Sequence, residues 1–292
     1  MTQQPLNRRI RAASLALIAG AGLAAGTAQA QDKGTVELAY VEWSSEVAST
    51  NVVRAVLEQA GYEVELTSLS AAAMWQALST GDADAIVAAW LPTTHADYLE
   101  RVGEKVVDLG ANLDGTKLGL VVPADTDVDS IAELDANADI FNGTITGIDP
   151  GAGLMSLTEK VVEQYDFEEM DLQSGSGATM TAALDSAIKN DEDIVVTAWT
   201  PHWMFARWDL KYLEDPKDVY GGAEQIHTVA RQGLEEDLPG AYAILDAFEW
   251  TAEDMGEVML MNQEPDADPY ENAKQWVSEN QDMVQEWLPE QS

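Results

Sequence analysis

The sequence predicts an α/β fold built from two similar lobes, and three observations predict it. Two short apolar runs, Asp84 to Ala89 and Asp193 to Ala198, lead into Ala89-Trp90-Leu91-Pro92 and Ala198-Trp199-Thr200-Pro201. Runs of this length read as buried parallel strands, too short to span a membrane. The same series of strand, loop, helix, strand and helix precedes each run. Its spacing is matched: Trp43 stands 31 residues before Met74 and Pro150 stands 30 before Met180, while Met74 precedes Trp90 by 16 and Met180 precedes Trp199 by 19. An ordered set of this kind is an internal repeat of α/β units. A Trp where a strand gives way to a loop lies at the edge where open α/β sheets bind ligands. Two of them predict two lobes facing one ligand.

Each element follows from local pattern. Thr35 to Val41 reads as a strand and Glu42-Trp43-Ser44-Ser45 as the loop at its end. Glu46 to Ala60 reads as a helix, with Val53, Val56, Leu57 and Ala60 on one face and Gly61 as its stop. Val64 and Leu66 alternate with acids, the pattern of a half-exposed strand. Ser70 can cap a short helix carrying Met74 and Leu78. After the strand ending at Trp90, Thr93 or Thr94 can cap a helix with His95 in its first turn. Lys117 to Val122 is a strand closed by Pro123. The pattern then restarts: strand Thr144 to Ile148, loop Asp149-Pro150-Gly151-Ala152-Gly153, and helix Leu154 to Tyr165. A Gly/Ser turn, Ser174 to Gly177, leads to a helix bearing Met180, Leu184 and Ile188. Ile226 to Ala230 reads as a strand recrossing to the first lobe. Pro239 suits the first position of a helix, Thr251 to Asp254 resembles a capping box, Asp268-Pro269 opens another helix, and Trp276 and Trp287 anchor the tail.

The 292 residues suffice for one large or two medium domains, and an apolar fraction of 46% supports a core. Cysteine is absent, which excludes a disulfide framework, a Cys zinc site and a lipid-anchored bacterial N-terminus. Fifty-two acids oppose 15 Lys and Arg, a net charge of -37. Such a surface repels nucleic acid and anionic lipid and suits a saline medium. Residues 1–30 read as a secretory signal: Arg8, Arg9 and Arg11, an apolar stretch from Ser14 to Gly26, and the cleavage pattern Ala28-Gln29-Ala30. The mature chain is then expected to begin at Gln31 and to be soluble, without membrane insertion.

Three His, and no H-E-x-x-H, G-x-S-x-G or P-loop pattern, leave no catalytic set. Nine Trp is many for this length. Trp43, Trp90 and Trp199, at one strand edge of two lobes, can wall a box for a cation that has no N–H to donate. A quaternary ammonium is such a cation and is held by ring faces. Trp75, Trp203, Trp208, Trp250, Trp276 and Trp287 read as packing residues, although pattern alone does not separate Trp203 from Trp199. The N–H groups of Gly153 and Leu154 at a helix start can hold a carboxylate, and His95 can donate to one. A cation box beside an anion-holding helix end fits a zwitterion.

At these residues the chain resembles the glycine betaine-binding proteins of osmoprotectant ABC importers. The matching stretches are Tyr40 to Asn51, Ala88 to His95, Gly147 to Leu157, Val195 to Phe205, Lys211 to Pro216 and Gly222 to His227. The resemblance covers nearly all of the chain beyond the signal. It implies a two-lobed periplasmic-binding-protein fold of type II, with the ligand in the inter-lobe cleft and a hinge of two crossing strands near 117–125 and 224–231. Lobe 1 would span 31–120, completed by 230–292, and lobe 2 would span 121–229. It implies a Trp prism of Trp43, Trp90 and Trp199 around the trimethylammonium group, with the carboxylate on His95 and the amides of Gly153 and Leu154. Glu42 and Ser44 depart from the Ala and Asp common in the family. The expected role is that of a periplasmic, monomeric receptor that is not an enzyme and needs no cofactor or metal. It would pass glycine betaine to an ABC permease with its ATPase. Alternative ligands are choline, proline betaine, carnitine or dimethylsulfoniopropionate.

Overall fold

The first repeat folds as β1 (Thr35–Tyr40), α1 (Ser44–Gln59), β2 (Glu63–Ser68), α2 (Ala71–Thr80) and β3 (Ala85–Leu91). After α3 (Ala96–Val102) and one 3-10 turn comes β4 (Val106–Pro123). The second repeat is β5 (Thr144–Thr146), α4 (Gly153–Gln164), β6 (Asp171–Gln173), α5 (Gly177–Asn190) and β7 (Val195–Thr200). Then follow α6 (Met204–Arg207), β8 (Leu210–Tyr212) and β9 (Glu224–Arg231). The chain ends in helices α7 (Leu234–Asp237), α8 (Pro239–Ala247), α9 (Ala252–Met261), α10 (Pro269–Glu279) and α11 (Gln281–Trp287). This is a computed structural model that describes residues 33–289. The expected signal segment 1–30 and cleavage before Gln31 lie outside the described residues.

The strands form one path in the order β2-β1-β3-β9-β4-β7-β5-β6, with β8 on β4. Within each repeat the three strands are parallel and the first sits in the middle, as β2-β1-β3 and β6-β5-β7. The predicted repeat is therefore a repeat of topology. Two antiparallel strands join the halves. β9 lies between β3 and β4, while β4 pairs with β9 from Val106 to Thr116 and with β7 from Lys117 to Val121. The partner change falls at the edge of the stretch expected to cross. The second crossing likewise falls at the edge of its expected stretch: Glu224, the first residue of β9, pairs with Thr116, the last residue of β4 before its partner change.

Several local expectations are corrected. β4 is 18 residues long, and its first half was not predicted. Gly110 and Gly115 have positive φ and the β9 register shifts three times; these bulges break the alternation that marks a strand. Helix α1 begins at Ser44 rather than Glu46, because the Trp43 carbonyl already accepts the Val47 N–H at 2.9 Å. Ser70 stands at the N-cap of α2 without a side-chain bond. The capping box at Thr251 and Asp254 is formed, and Asp268 accepts from Tyr270 and Glu271 at the start of α10. Leu38, Ile86, Leu120, Ile145 and Val196 are fully buried in the sheet, and Trp250, Trp276 and Trp287 interlock beneath the C-terminal helices. Among the described residues no helix is long and apolar enough to cross a membrane.

Candidate ligand-binding site

All six residues singled out by sequence line one cavity of about 30 Å³. Each repeat contributes from the C-terminal ends of its strands, as open α/β sheets do. Trp43 is the N-cap of α1, just past β1; Trp90 is the penultimate residue of β3, and Trp199 that of β7. His95 is the N-cap of α3, and Gly153 and Leu154 are the first two residues of α4. Ser45, Thr94, Leu118, Ile148 and Ala152 complete the wall. Leu118 was not foreseen as a lining residue, being an ordinary strand residue in sequence, while Ile148 ended an expected strand inside the stretch Gly147 to Leu157. Thr94 and Ala152 stood inside stretches already picked out. The peptide bonds Leu91-Pro92 and Thr200-Pro201, which follow Trp90 and Trp199, are both cis.

The indoles are held by different means. Trp43 Nε1 donates to Asp149 Oδ2 at 2.9 Å, a bond between the two repeats. The Trp199 ring meets His202 edge-on, with centroids 4.5 Å apart. Gly177, the first residue of α5, lies against both Trp43 and Trp199: a Cβ there would stand 3.9 Å from each ring. Trp203 is set apart. It packs on His202 and Trp208 and lines a second cavity of about 390 Å³ with Glu42, Ser44 and Trp199, whereas of the two residues Trp199 and Trp203 only Trp199 also lines the first.

His95 is buried, and burial pushes its pKa down to about 4. Its Nδ1 accepts the Trp90 N–H at 3.1 Å, so the proton of the neutral ring sits on Nε2. A neutral donor thus lines the cavity. The expected capping by Thr93 or Thr94 does not occur. The buried carboxylate of Glu224 instead accepts the N–H of Thr93 at 2.6 Å, the N–H of Thr94 at 2.8 Å and the Thr94 hydroxyl. Nothing in the sequence distinguishes Glu224 from the other acids. Across the cavity, Gly153 and Leu154 have no acceptor within their own helix, so the start of α4 presents two N–H groups and the positive end of its dipole. Gly153 is pressed against Thr94: a Cβ would lie 2.2 Å from the Thr94 carbonyl oxygen. Tyr98 adds a further tie, its hydroxyl donating to the Gly151 carbonyl at 2.5 Å.

Two parallel α/β units joined by antiparallel strands, with a cavity between their strand ends, define the class: a periplasmic-binding-protein fold, the fold of solute receptors. The chain belongs to the OpuAC family, the substrate binding domain of ABC-type glycine betaine transport systems, whose model matches residues 34–279. It is 52% identical over 163 residues to the glycine betaine/carnitine transport binding protein GbuC of Listeria monocytogenes, a stretch covering 54% of each, so the match spans about half of that relative's length. Among solved structures it resembles the glycine betaine/L-proline-binding protein of Borrelia burgdorferi, with a TM-score of 0.85 and 40% identity over 88% of this chain and 97% of that one. It also resembles lactococcal OpuAC closed on glycine betaine, with a TM-score of 0.82 and 45% identity over 88% of this chain and 100% of the other.

Proposed function

We propose that this chain is an extracytoplasmic receptor that binds glycine betaine in the Trp43, Trp90 and Trp199 cavity and delivers it to an ABC importer. One observation carries the reading: three indoles, a neutral His95 with its proton on Nε2, and the start of α4 share one small cavity. A trimethylammonium group cannot donate a hydrogen bond, so it gains little from carboxylates that serve Lys or Na⁺ equally well. Indole faces attract it through the ring quadrupole, worth about 2 kcal/mol each when water is excluded. The ligand carboxylate would accept from His95 Nε2 and from the N–H groups of Gly153 and Leu154.

In this reading residues 31–120 with 230–292 form one lobe and 121–229 the other, and the ligand favours the closed arrangement because neither lobe holds a whole site. The bonds from Trp43 to Asp149 and from Tyr98 to Gly151 would form on closure. The closed form would then be what a permease recognises. The chain would act in the periplasm after removal of its signal, without a lipid anchor and without catalysis.

Calorimetry of the purified protein with glycine betaine tests this. Saturable heat with a Trp fluorescence change is the expected result; neither signal at about millimolar ligand would defeat the proposal. His95→Ala discriminates among ligands. It should weaken glycine betaine by more than about tenfold and leave choline, which has no carboxylate, nearly unaffected.

A further inference from the structure

Glu46 is buried to 1% exposure directly behind the Trp43 turn. Its Oε2 accepts the Val41 N–H at 2.7 Å, and the Val41 carbonyl accepts the Trp43 N–H at 2.7 Å. The chain of bonds therefore runs from Glu46 through Val41 to the residue that walls the cavity. The other carboxyl oxygen, Oε1, is buried and has no partner among the described residues. A carboxylate there would leave one oxygen without a donor in an apolar setting, which is costly. A neutral carboxyl avoids that cost and keeps the bond from Val41.

We propose that Glu46 is a positioning residue for Trp43, that its neutral carboxyl is the form that holds the turn, and that ionising it loosens the indole and weakens solute binding. The solute-binding consequence rests on the proposed function above; the coupling of Glu46 to Trp43 does not.

Burial pushes the Glu46 carboxyl up to about 8, and the Val41 N–H acts the other way. No other charge contributes. On β1 and its loop, Tyr40 bonds Glu42. Further along α1, Arg54 pairs with Glu58, which also accepts from Tyr270 of α10. Glu257 of α9 accepts from Trp276, and Asp84 before β3 is bonded to Arg231. His95, which reaches Trp43 from the β3 side, is neutral above about 4. The folded pKa of Glu46 lies above the ordinary 4.5, so the stability that its neutral form lends the turn is complete below 4.5 and is lost as pH rises through about 8. Glycine betaine itself has no group that titrates in this range.

Two measurements test the coupling. Trp emission of the ligand-free protein should change with a midpoint near 8, and the change should vanish in Glu46→Gln, whose amide stays neutral, and in Trp43→Phe. Glycine betaine affinity should fall about fivefold or more between roughly pH 6 and roughly pH 9.5 in the wild type and stay level in Glu46→Gln. Glu46→Ala, which strands the Val41 N–H, should bind more weakly at both pH values. An emission change that persists in Glu46→Gln, or none in the wild type, overturns the inference. A wild type that shows the emission change but binds no glycine betaine at either pH defeats the proposed ligand and leaves the Glu46 coupling standing.

Discussion

Single atoms decide much at the cavity. Gly153 is required less for its backbone angles than for its missing side chain, because the Thr94 carbonyl oxygen occupies the space a Cβ would need. Gly153→Ala should therefore weaken glycine betaine by more than about tenfold, at least about 1.4 kcal/mol, by calorimetry. Its ligand-free melting temperature should stay near wild type, since an opened cleft relieves the clash. Trp199→Ala removes one of the three ring faces and should cost a similar factor. Wild-type affinity in either variant would contradict the assigned cavity. Trp43, Trp90 and Trp199 were legible in the sequence because each closes a recognisable strand pattern. Glu46 and Glu224 were not, because burial is what sets them apart and 52 acids look alike in a sequence.

Loops and strands set those atoms in place. The turn from Trp90 to His95 carries one indole and the histidine, and it hangs from the Glu224 carboxylate at the start of β9. Glu224→Ala would leave two N–H groups without their acceptor, at a cost of roughly 2 kcal/mol or more. Urea denaturation should show that loss, and glycine betaine affinity should fall with it. An unchanged midpoint would mean that water or another group replaces the carboxylate. The repeat units themselves were readable, since helix and strand periods are local properties. β4 was half readable: Lys117 leads into the apolar run Leu118 to Val122, whereas Val106 to Thr116 contains two glycines and bulges that only pairing with β9 explains. The start of α1 was misplaced by two residues because Ser44 and Ser45 resemble a loop, yet the Trp43 carbonyl closes the first turn over them.

Across the whole molecule, acids far outnumber bases. Removing the three arginines of residues 1–30 leaves 12 basic against 52 acidic residues, a net of -40. Seven ion pairs form among the described residues, one of them through His227, so most of the described acids have no cationic partner. Self-repulsion of this size destabilises a compact state and is screened by salt. The melting temperature should rise steadily from about 0.01 M to about 1 M NaCl, where the screening length shrinks from roughly 30 Å to roughly 3 Å. A flat or falling curve would show that the acids are spaced widely enough not to matter. Composition alone supports this prediction, because net charge acts over distances longer than any hydrogen bond or ring contact.

The sequence by itself determined the α/β class, the doubled unit, the strand ends that bear Trp43, Trp90 and Trp199, and the helix start at Gly153 and Leu154. All are written in short-range periodicity and in residues whose positions along the chain match between the repeats. Only the tertiary structure decided that these ends enclose one cavity, that Trp203 stands outside it, and that His95 carries its proton on Nε2. The same holds for Asp149, Glu46 and Glu224. Asp149 and Glu224 act through partners more than a hundred residues away, a contact no local pattern encodes, and Glu46, whose partner Val41 is only five residues away, is set apart by a burial that only the tertiary fold supplies.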